Sequence, residues 1–448
     1  MPMTRIALTS LGCARNLVDS EVMLGRLARE GVTICDDVDD VHVVIINTCG
    51  FIQEAVEESI DAILQFCGLK KDGRVKRVIV AGCLVQRYGE ELVRELPEVD
   101  GFVGVHDLEK ISRTVREVLA GKKVVELSGA PHIEERKVPR AVLTPRHFRY
   151  VKICEGCGHA CTFCAIPAIK GKLRSRSLNS ILAEVRRLIR EGAKEIVLIG
   201  QDTGEFGHDR DDPHALPELL REICAIDGDF WVRLLYSCPT HFTDELLEAI
   251  FSDDKVCRYV DLPIQHIDPA LLKAMGRQET SQDVRRLIRR IRQAIPDVSI
   301  RTSLIVGFPG EGEEEFRRLL DFVGETKFDR LGAFQFSAEE GTPAATMPGQ
   351  VPEEVKQERF DRLMHLQQEV SAENNRKLLG TRQRIIVDEW SEHPDYRGVG
   401  RTEGDAPEVD GCVYIEGRTA RPGEFVTVEF TGSLEYDMIA RQLDEPSQ

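Results

Sequence analysis

Three short apolar runs near the amino terminus are each followed at once by a cysteine flanked by glycine. This recurrence limits the possible fold more than any other feature. The runs are Ala7–Leu11, Val43–Asn47 and Val78–Ala81, and the cysteines are Cys13 (Leu-Gly-Cys), Cys49 (Thr-Cys-Gly) and Cys83 (Ala-Gly-Cys). Helical patterns follow at Asn16–Glu30, Gln53–Phe66 and Gln86–Leu96. Short β-branched runs alternating with helices predict a parallel sheet covered by helices. Ligands of such sheets gather at the carboxyl ends of the strands, so the three cysteines should converge. The neighbouring glycines let backbone come close to a bound group. Any one of these cysteines alone reads as a buried small hydrophobe. Three in equivalent slots read as a ligand set for an iron–sulfur cluster, with one iron left open.

A second set is Cys157, Cys161 and Cys164, spaced C-x3-C-x2-C after a strand-like run at Tyr150–Ile153. Three thiolates on a four-iron cube again leave an open iron, as an open position does in catalytic zinc sites. Phe163 and Ile166-Pro167 supply an apolar wall that limits solvent. Cys154 extends the spacing to C-x2-C-x3-C-x2-C, which also suits a structural zinc. A structural zinc has no need of the βα pattern that follows, so Cys154 reads as a spare cysteine. Cys35, Cys67, Cys224, Cys238, Cys257 and Cys412 share no slot and read as ordinary small hydrophobes. Thirteen cysteines are an odd number for a disulfide framework, and a large cytosolic chain would keep them reduced.

The 448 residues suffice for several domains. The expected class is α/β. Residues 1–127 form an N-terminal parallel α/β sheet unit, and 128–147, with three prolines, a linker. Residues 148–380 carry strand patterns at Glu195–Ile199, Trp231–Tyr236, Tyr259–Pro263, Val298–Val306 and Leu331–Phe336. Helical stretches such as Leu182–Arg190 and Asp283–Gln293 lie between them, which suits a full or partial (β/α) barrel. A long polar helix, Glu353–Lys377, leads out of it. Residues 381–448 show short strands at Arg384–Asp388, Gly411–Ile415 and Phe425–Phe430, the pattern of a small all-β barrel. No run is long enough to cross a bilayer and the amino terminus lacks a signal-peptide pattern, so a cytoplasmic location is expected. The net charge of −17 points to a basic partner rather than to nucleic acid.

These residues resemble the methylthiotransferase branch of the radical S-adenosylmethionine enzymes, over essentially the whole chain. Gly12–Glu21, Thr144–His147, Ile264–His266, Glu339–Thr342 and Asp405–Gly411 look like the branch that modifies a ribosomal protein rather than transfer RNA. The resemblance implies two [4Fe-4S] clusters. The Cys157 set would bind S-adenosylmethionine at its open iron, and the Cys13 set would be the auxiliary, sulfur-carrying site. It implies methylthiolation of the β-carbon of an aspartate in ribosomal protein twelve of the small subunit, free or assembled. S-adenosylmethionine would be both radical source and methyl donor. It implies an electron donor such as flavodoxin or ferredoxin, and a final barrel of the TRAM type that recognises substrate.

Several positions after or within barrel strands are candidates for holding S-adenosylmethionine. Gln201 and Asp202 could bond the methionyl or ribose end, with Ser237 after a further strand. Arg301 could neutralise a carboxylate, and Gly307, in Gly307–Gly310, could let adenine pack on backbone. Each reads equally well as a barrel-lining polar residue or a turn. The basic run Lys170, Lys172, Arg174 and Arg176 has no single reading. Residues 381–448 hold 15 acidic residues against 7 arginines and no lysine, a net −8. Such a barrel should attract a basic protein, with Glu408 and Asp410 on the attracting face, and should disfavour transfer RNA. The rival readings are a transfer-RNA methylthiotransferase and a non-catalytic ribosome assembly factor with structural clusters.

Overall fold

The computed structural model describes residues 4–39, 41–133 and 140–443. Residues 134–139 of the expected linker and 444–448 of the last segment therefore lie outside the described residues. The first sheet has six parallel strands: β1 (Arg5–Ser10), β2 (Thr33–Ile34), β3 (Val41–Thr48), β4 (Val75–Gly82), β5 (Gly101–Gly104) and β6 (Val124–Glu126). Their order is β2-β1-β3-β4-β5-β6. β3 and β4 are covered on both faces, and Val43, Val44, Ile45, Ile46, Val78, Ile79 and Val80 are all fully buried. That is why these strands read as continuous apolar runs rather than alternating ones. β1, β3 and β4 are neighbours in the sheet, which brings the three cysteine slots together at one edge.

The second unit continues with β7 (Phe148–Lys152), then a two-residue antiparallel pair, β8 (Cys154–Glu155) with β9 (Arg174–Ser175). This pair closes the base of the loop that carries Cys157, Cys161 and Cys164. The parallel strands β10 (Glu195–Ile199) and β11 (Trp231–Leu234) follow. After them come β12 (Tyr259–Gln265), β13 (Ser299–Val306) and β14 (Arg330–Gln335). β7, β10 and β11 form one ladder and β12, β13 and β14 another. The two meet where the Ser237 N–H donates to the Asp261 carbonyl at 3.1 Å. Six parallel strands in chain order make an open, partial barrel. A closed five-stranded barrel ends the chain: β15 (Arg382–Trp390), β16 (Tyr396–Thr402), β17 (Val413–Glu416), β18 (Phe425–Ser433) and β19 (Met438–Gln442). Among the described residues no helix is long and apolar enough to cross a membrane.

Charged residues dock the three units on one another. Asp19 and Glu21, on the helix Ala14–Arg29, meet Lys152 of β7 (2.5 Å) and Arg140 (2.9 Å from its Nε). Arg140 also reaches Glu184 at 2.8 Å. At the opposite, amino-terminal edge of the core strands, residues 401–410 of the final barrel lie across the opening. Arg401 and Arg233 flank the fully buried Glu195, the first residue of β10, at 2.8 and 2.6 Å. The Nε of Arg330, the first residue of β14, donates to Asp405 at 3.0 Å. Tyr150 Oη donates to Glu408 and Tyr259 Oη to Asp410, at 2.7 and 2.6 Å. An apolar cluster drawn from all three units, with Val18, Tyr150, Val197, Trp231, Ile386 and Ala406, fills the space above.

This corrects one expectation from sequence. The Asp410 carboxylate turns into the core, where Tyr259 and Arg301 satisfy it. Glu408 stands at the surface with one carboxylate oxygen held by Tyr150. Only part of this segment's charge faces outward, because charge counted along a sequence carries no direction.

Replacing Arg401 by Met should strip Glu195 and Asp388 of a partner while keeping the aliphatic stem. Leaving a buried carboxylate short of its countercharge costs about 3–5 kcal/mol. Urea unfolding of the full chain should show that loss, and Glu195→Gln in the same background should recover part of it.

Candidate active site

Cys13 caps the amino end of the helix Ala14–Arg29, and Cys83 opens the helix Cys83–Glu95. Helix amino ends favour thiolates. Cys49 follows β3, with its N–H on Ser59 Oγ at 3.1 Å and its carbonyl accepting from the same hydroxyl at 2.9 Å. Two asparagines stitch the loops together. Asn47 Nδ2 donates to the Asn16 carbonyl, and Asn16 Nδ2 to the Leu11 carbonyl, both at 2.8 Å. Gly12 has φ +86°, and a Cβ there would stand 2.7 Å from Cys49 Cβ. The chain thus needs glycine at this position both for its backbone angle and for the close approach of two cysteines.

Burial raises the pKa of Cys13, but Arg15, the Asn16 N–H and Lys170 outweigh it and hold the thiol below its usual value. Burial pushes Cys83 up to about 12, with Lys170 opposing it and Cys13 and Cys49 adding to it. A Cβ on Gly50 would likewise stand 3.2 Å from the Cys83 carbonyl carbon, so the three cysteine loops lie side by side.

The second set lies on the loop closed by β8 and β9. Cys157 N–H donates to the Gly171 carbonyl, and Cys164 N–H to that of Cys161, each at 3.2 Å. Phe163 packs edge-on against Phe308, with ring centres 6.5 Å apart, which gives the expected apolar wall. Cys154 is fully buried, with Sγ 3.5 Å from the Asp202 carbonyl. Its sulfur packs against Gly200, 2.4 Å from a would-be Cβ there. All six cysteines of the two sets are partly exposed, whereas five of the other seven are buried. Thiols that open onto free space in convergent trios are the donor set an iron–sulfur cluster requires.

Arg15 occupies the ground between the two sets, and nothing in the sequence singled it out beyond its place in the stretch Gly12–Glu21. It donates to the Gly200 carbonyl at the end of β10 at 2.7 Å and lies 4.8 Å above the Tyr236 ring. Its charge acts on Cys13 and Cys49 on one side and on Cys164 on the other. Lys170 resolves the ambiguity of its basic run. It is buried against Asp19 (3.3 Å) and Glu155 (3.4 Å), so it belongs to the wall of this site.

The expected S-adenosylmethionine contacts fall in different places. Gln201 Nε2 donates to Glu155 at 2.6 Å, while its Oε1 is buried with no partner, an acceptor that suits a ligand ammonium. Asp202 is corrected. Its carboxylate already accepts from Gly204 N (2.9 Å), Cys238 N (3.0 Å), His159 Nε2 (2.7 Å) and His241 Nδ1 (3.1 Å). Four donors satisfy a carboxylate, so Asp202 orients the histidine within the Cys157 loop. Ser237 Oγ is 3.0 Å from Thr203 Oγ1 and buried. Arg301 is held between Asp261 (3.1 Å) and Asp410 (3.4 Å). Gly307 packs against the stem of Lys356, 2.3 Å from a would-be Cβ, so that side of it is closed to adenine.

A partial barrel with a three-cysteine loop, preceded by a parallel sheet and followed by a small β-barrel, is the architecture of a radical S-adenosylmethionine enzyme. Residues 151–323 match the Radical SAM superfamily, 5–104 the Uncharacterized protein family UPF0004, and 379–443 the TRAM domain. Among solved structures, the radical S-adenosylmethionine methyltransferase TsrM from Kitasatospora setae shares the fold. It has TM-score 0.56 and 18% identity, over 76% of this chain and 77% of that one. A curated relative from Geobacter sulfurreducens, Ribosomal protein uS12 methylthiotransferase RimO, is 48% identical over 97% of this chain and 98% of its own. The proteins of the same name from Heliobacterium modesticaldum and Clostridioides difficile are 47% and 45% identical, each over 99% of this chain and 96% and 100% of their own. The chain belongs to the RimO family of methylthiotransferases. S-adenosylmethionine and [4Fe-4S] clusters are its cofactors.

Anaerobically reconstituted protein should contain about eight irons per chain, the content of two four-iron cubes. Replacing Cys157, Cys161 and Cys164 together by Ala should halve that number. Gly12→Ala should remove iron from the other site alone, because the new methyl group displaces Cys49. Loss of all iron from either change would mean that the two sites are not independent.

Proposed function

We propose that this chain attaches a methylthio group to the β-carbon of an aspartate in ribosomal protein uS12. The reading rests above all on the two cysteine trios and on the half-buried Arg15 that lies beside them. Whole-length likeness to the RimO relatives supports it. In this reading Cys157, Cys161 and Cys164 hold the cluster that binds S-adenosylmethionine, and Cys13, Cys49 and Cys83 hold the auxiliary cluster. The working units are residues 1–127, 148–380 and 381–448, joined by 128–147. The reaction is placed in the cytoplasm, with electrons from a small carrier such as flavodoxin or ferredoxin.

When bound, the cofactors supply the reducing electron, the 5′-deoxyadenosyl radical, the sulfur and the methyl group. The protein's residues bind, orient and shield. The unpartnered Oε1 of Gln201 would accept from an N–H of the bound cofactor. Arg15 offers fixed positive charge where anionic sulfur accumulates, and Lys170 does the same from the far side of the Cys13 and Cys83 thiols. The buried ring of charges made by Asp19, Lys152, Glu155 and Lys170 keeps the two cysteine-bearing loops in register. Residues 401–410 cover the opposite end of the partial barrel, and excluding water there strengthens the charge interactions inside it.

Replacing Cys13, Cys49 and Cys83 together by Ala should leave 5′-deoxyadenosine formation measurable while abolishing methylthio product. Offering the wild-type enzyme uS12 and isopentenyl-adenosine transfer RNA together, with mass detection, tests the substrate. Label in the protein supports the reading, and label confined to the RNA would overturn it in favour of a transfer-RNA methylthiotransferase.

A further inference from the structure

The loop that carries Cys157, Cys161 and Cys164 rests on residues 274–279, a segment that no sequence motif marked. The Thr162 N–H donates to the Met275 carbonyl at 3.0 Å, and Thr162 Oγ1 to that of Ala274 at 2.8 Å. Gly276 has φ +74°, and a Cβ there would stand 2.6 Å from the Ala160 carbonyl oxygen. The two backbones therefore lie in direct contact, and Arg277 emerges from that contact beside the cysteines.

The Arg277 guanidinium is fixed on three sides. Nε donates to Glu279 Oε1 at 2.7 Å, and Nη2 donates to the Pro263 carbonyl at 3.1 Å and to Cys238 Sγ at 3.2 Å. Glu279 is itself anchored, accepting from Thr240 Oγ1 at 2.9 Å. The Arg277 and Glu279 side chains are only 6% and 4% exposed. The remaining nitrogen, Nη1, points at Cys161 Sγ from 3.8 Å. With Nε and Nη2 both engaged, Nη1 is the nitrogen left to serve the cysteine loop.

We propose that Arg277 sets the reduction potential of the cluster held by Cys157, Cys161 and Cys164, through a charge-assisted N–H···S hydrogen bond to the Cys161 sulfur. The proposal rests on the assignment of those three cysteines to one cluster. Reduction adds one electron, and so one negative charge, to the cluster. A permanent positive charge and an N–H donor at a ligand sulfur stabilise that form and raise the potential. Burial keeps water from screening the effect. Arginine keeps its proton at any working pH, so the bias is constant. Glu279 is the positioning partner, and Cys238 accepts a hydrogen bond without being a ligand.

The test is a redox titration of the full-length, anaerobically reconstituted protein, followed by electron paramagnetic resonance. Arg277→Met should shift the midpoint of the Cys157-type cluster to more negative potential and leave the cluster at Cys13, Cys49 and Cys83 where it is. Arg277→Lys, which restores charge but not the fork, should recover part of the shift. An unchanged midpoint in an Arg277→Met protein that keeps its full iron would overturn the proposal. If Arg277→Met fails to hold iron, Arg277→Gln decides: a negative shift of the same cluster supports it, and no shift overturns it. Failure of the cysteine assignment shows separately, as full iron content after Cys157, Cys161 and Cys164 are all replaced by Ala.

Discussion

Two carboxylates, Asp19 and Glu21, leave the same helix within two turns of Cys13 and engage the core through Lys152 and Arg140. The placing of one cysteine trio before the other depends on these pairs. Buried charges are costly to desolvate, and they are tolerated only when every partner is present. Glu21 is fully buried and Asp19 nearly so, and both have their cations. A docking mode that shifted the helix by one turn would leave both buried carboxylates without cations, although Lys152 and Arg140 would keep Glu155 and Glu184. The interface therefore has one low-energy register, and Arg15, on the first turn of the same helix, reaches the Gly200 carbonyl only in that register.

The far end of the core is organised by the same physics with the roles reversed. There the final barrel supplies Arg401, Asp405, Glu408 and Asp410, and the core supplies Glu195, Arg330, Tyr150 and Tyr259. Contacts then run inward: Asp410 to Arg301, Arg301 to Asp261, and Asp261 to the Tyr236 N–H at 2.9 Å. Tyr236 lies under Arg15. A continuous polar path thus joins the final barrel to the ground between the cysteine sets.

Backbone strain is stored along the same path. Tyr236, Gln265 and Glu408 have φ of +62°, +73° and +68°, a region costly for side chains that lack glycine's freedom. Tyr236 follows β11 and Gln265 ends β12, at the carboxyl edge of the core where the Cys157 loop lies. Glu408 is held by Tyr150. Such conformations persist when surrounding contacts fix them, and they collect where side chains must be aimed.

Much of this was legible in the residues. The strand Glu195–Ile199 and the helix Glu353–Lys377 have the limits that periodicity gave them, because long apolar or heptad-like patterns outvote local noise. The cysteine slots were legible because a parallel sheet puts the ends of its strands together whatever the loops do. The short strands Thr33–Ile34, Gly101–Gly104 and Val124–Glu126 were not, since two to four residues carry no period and exist only by pairing with a neighbour. Asp202 was read as a cofactor contact because it ends a strand, yet distant His159 and His241 take its oxygens. Asp410 was read as a solvent-facing charge, yet Tyr259, far earlier in the chain, claims it. The sequence by itself determined at which strand ends the two cysteine trios stand, since this follows from spacing and period. Only the tertiary structure decided which charges face one another, because burial and direction are properties of packing between segments more than a hundred residues apart.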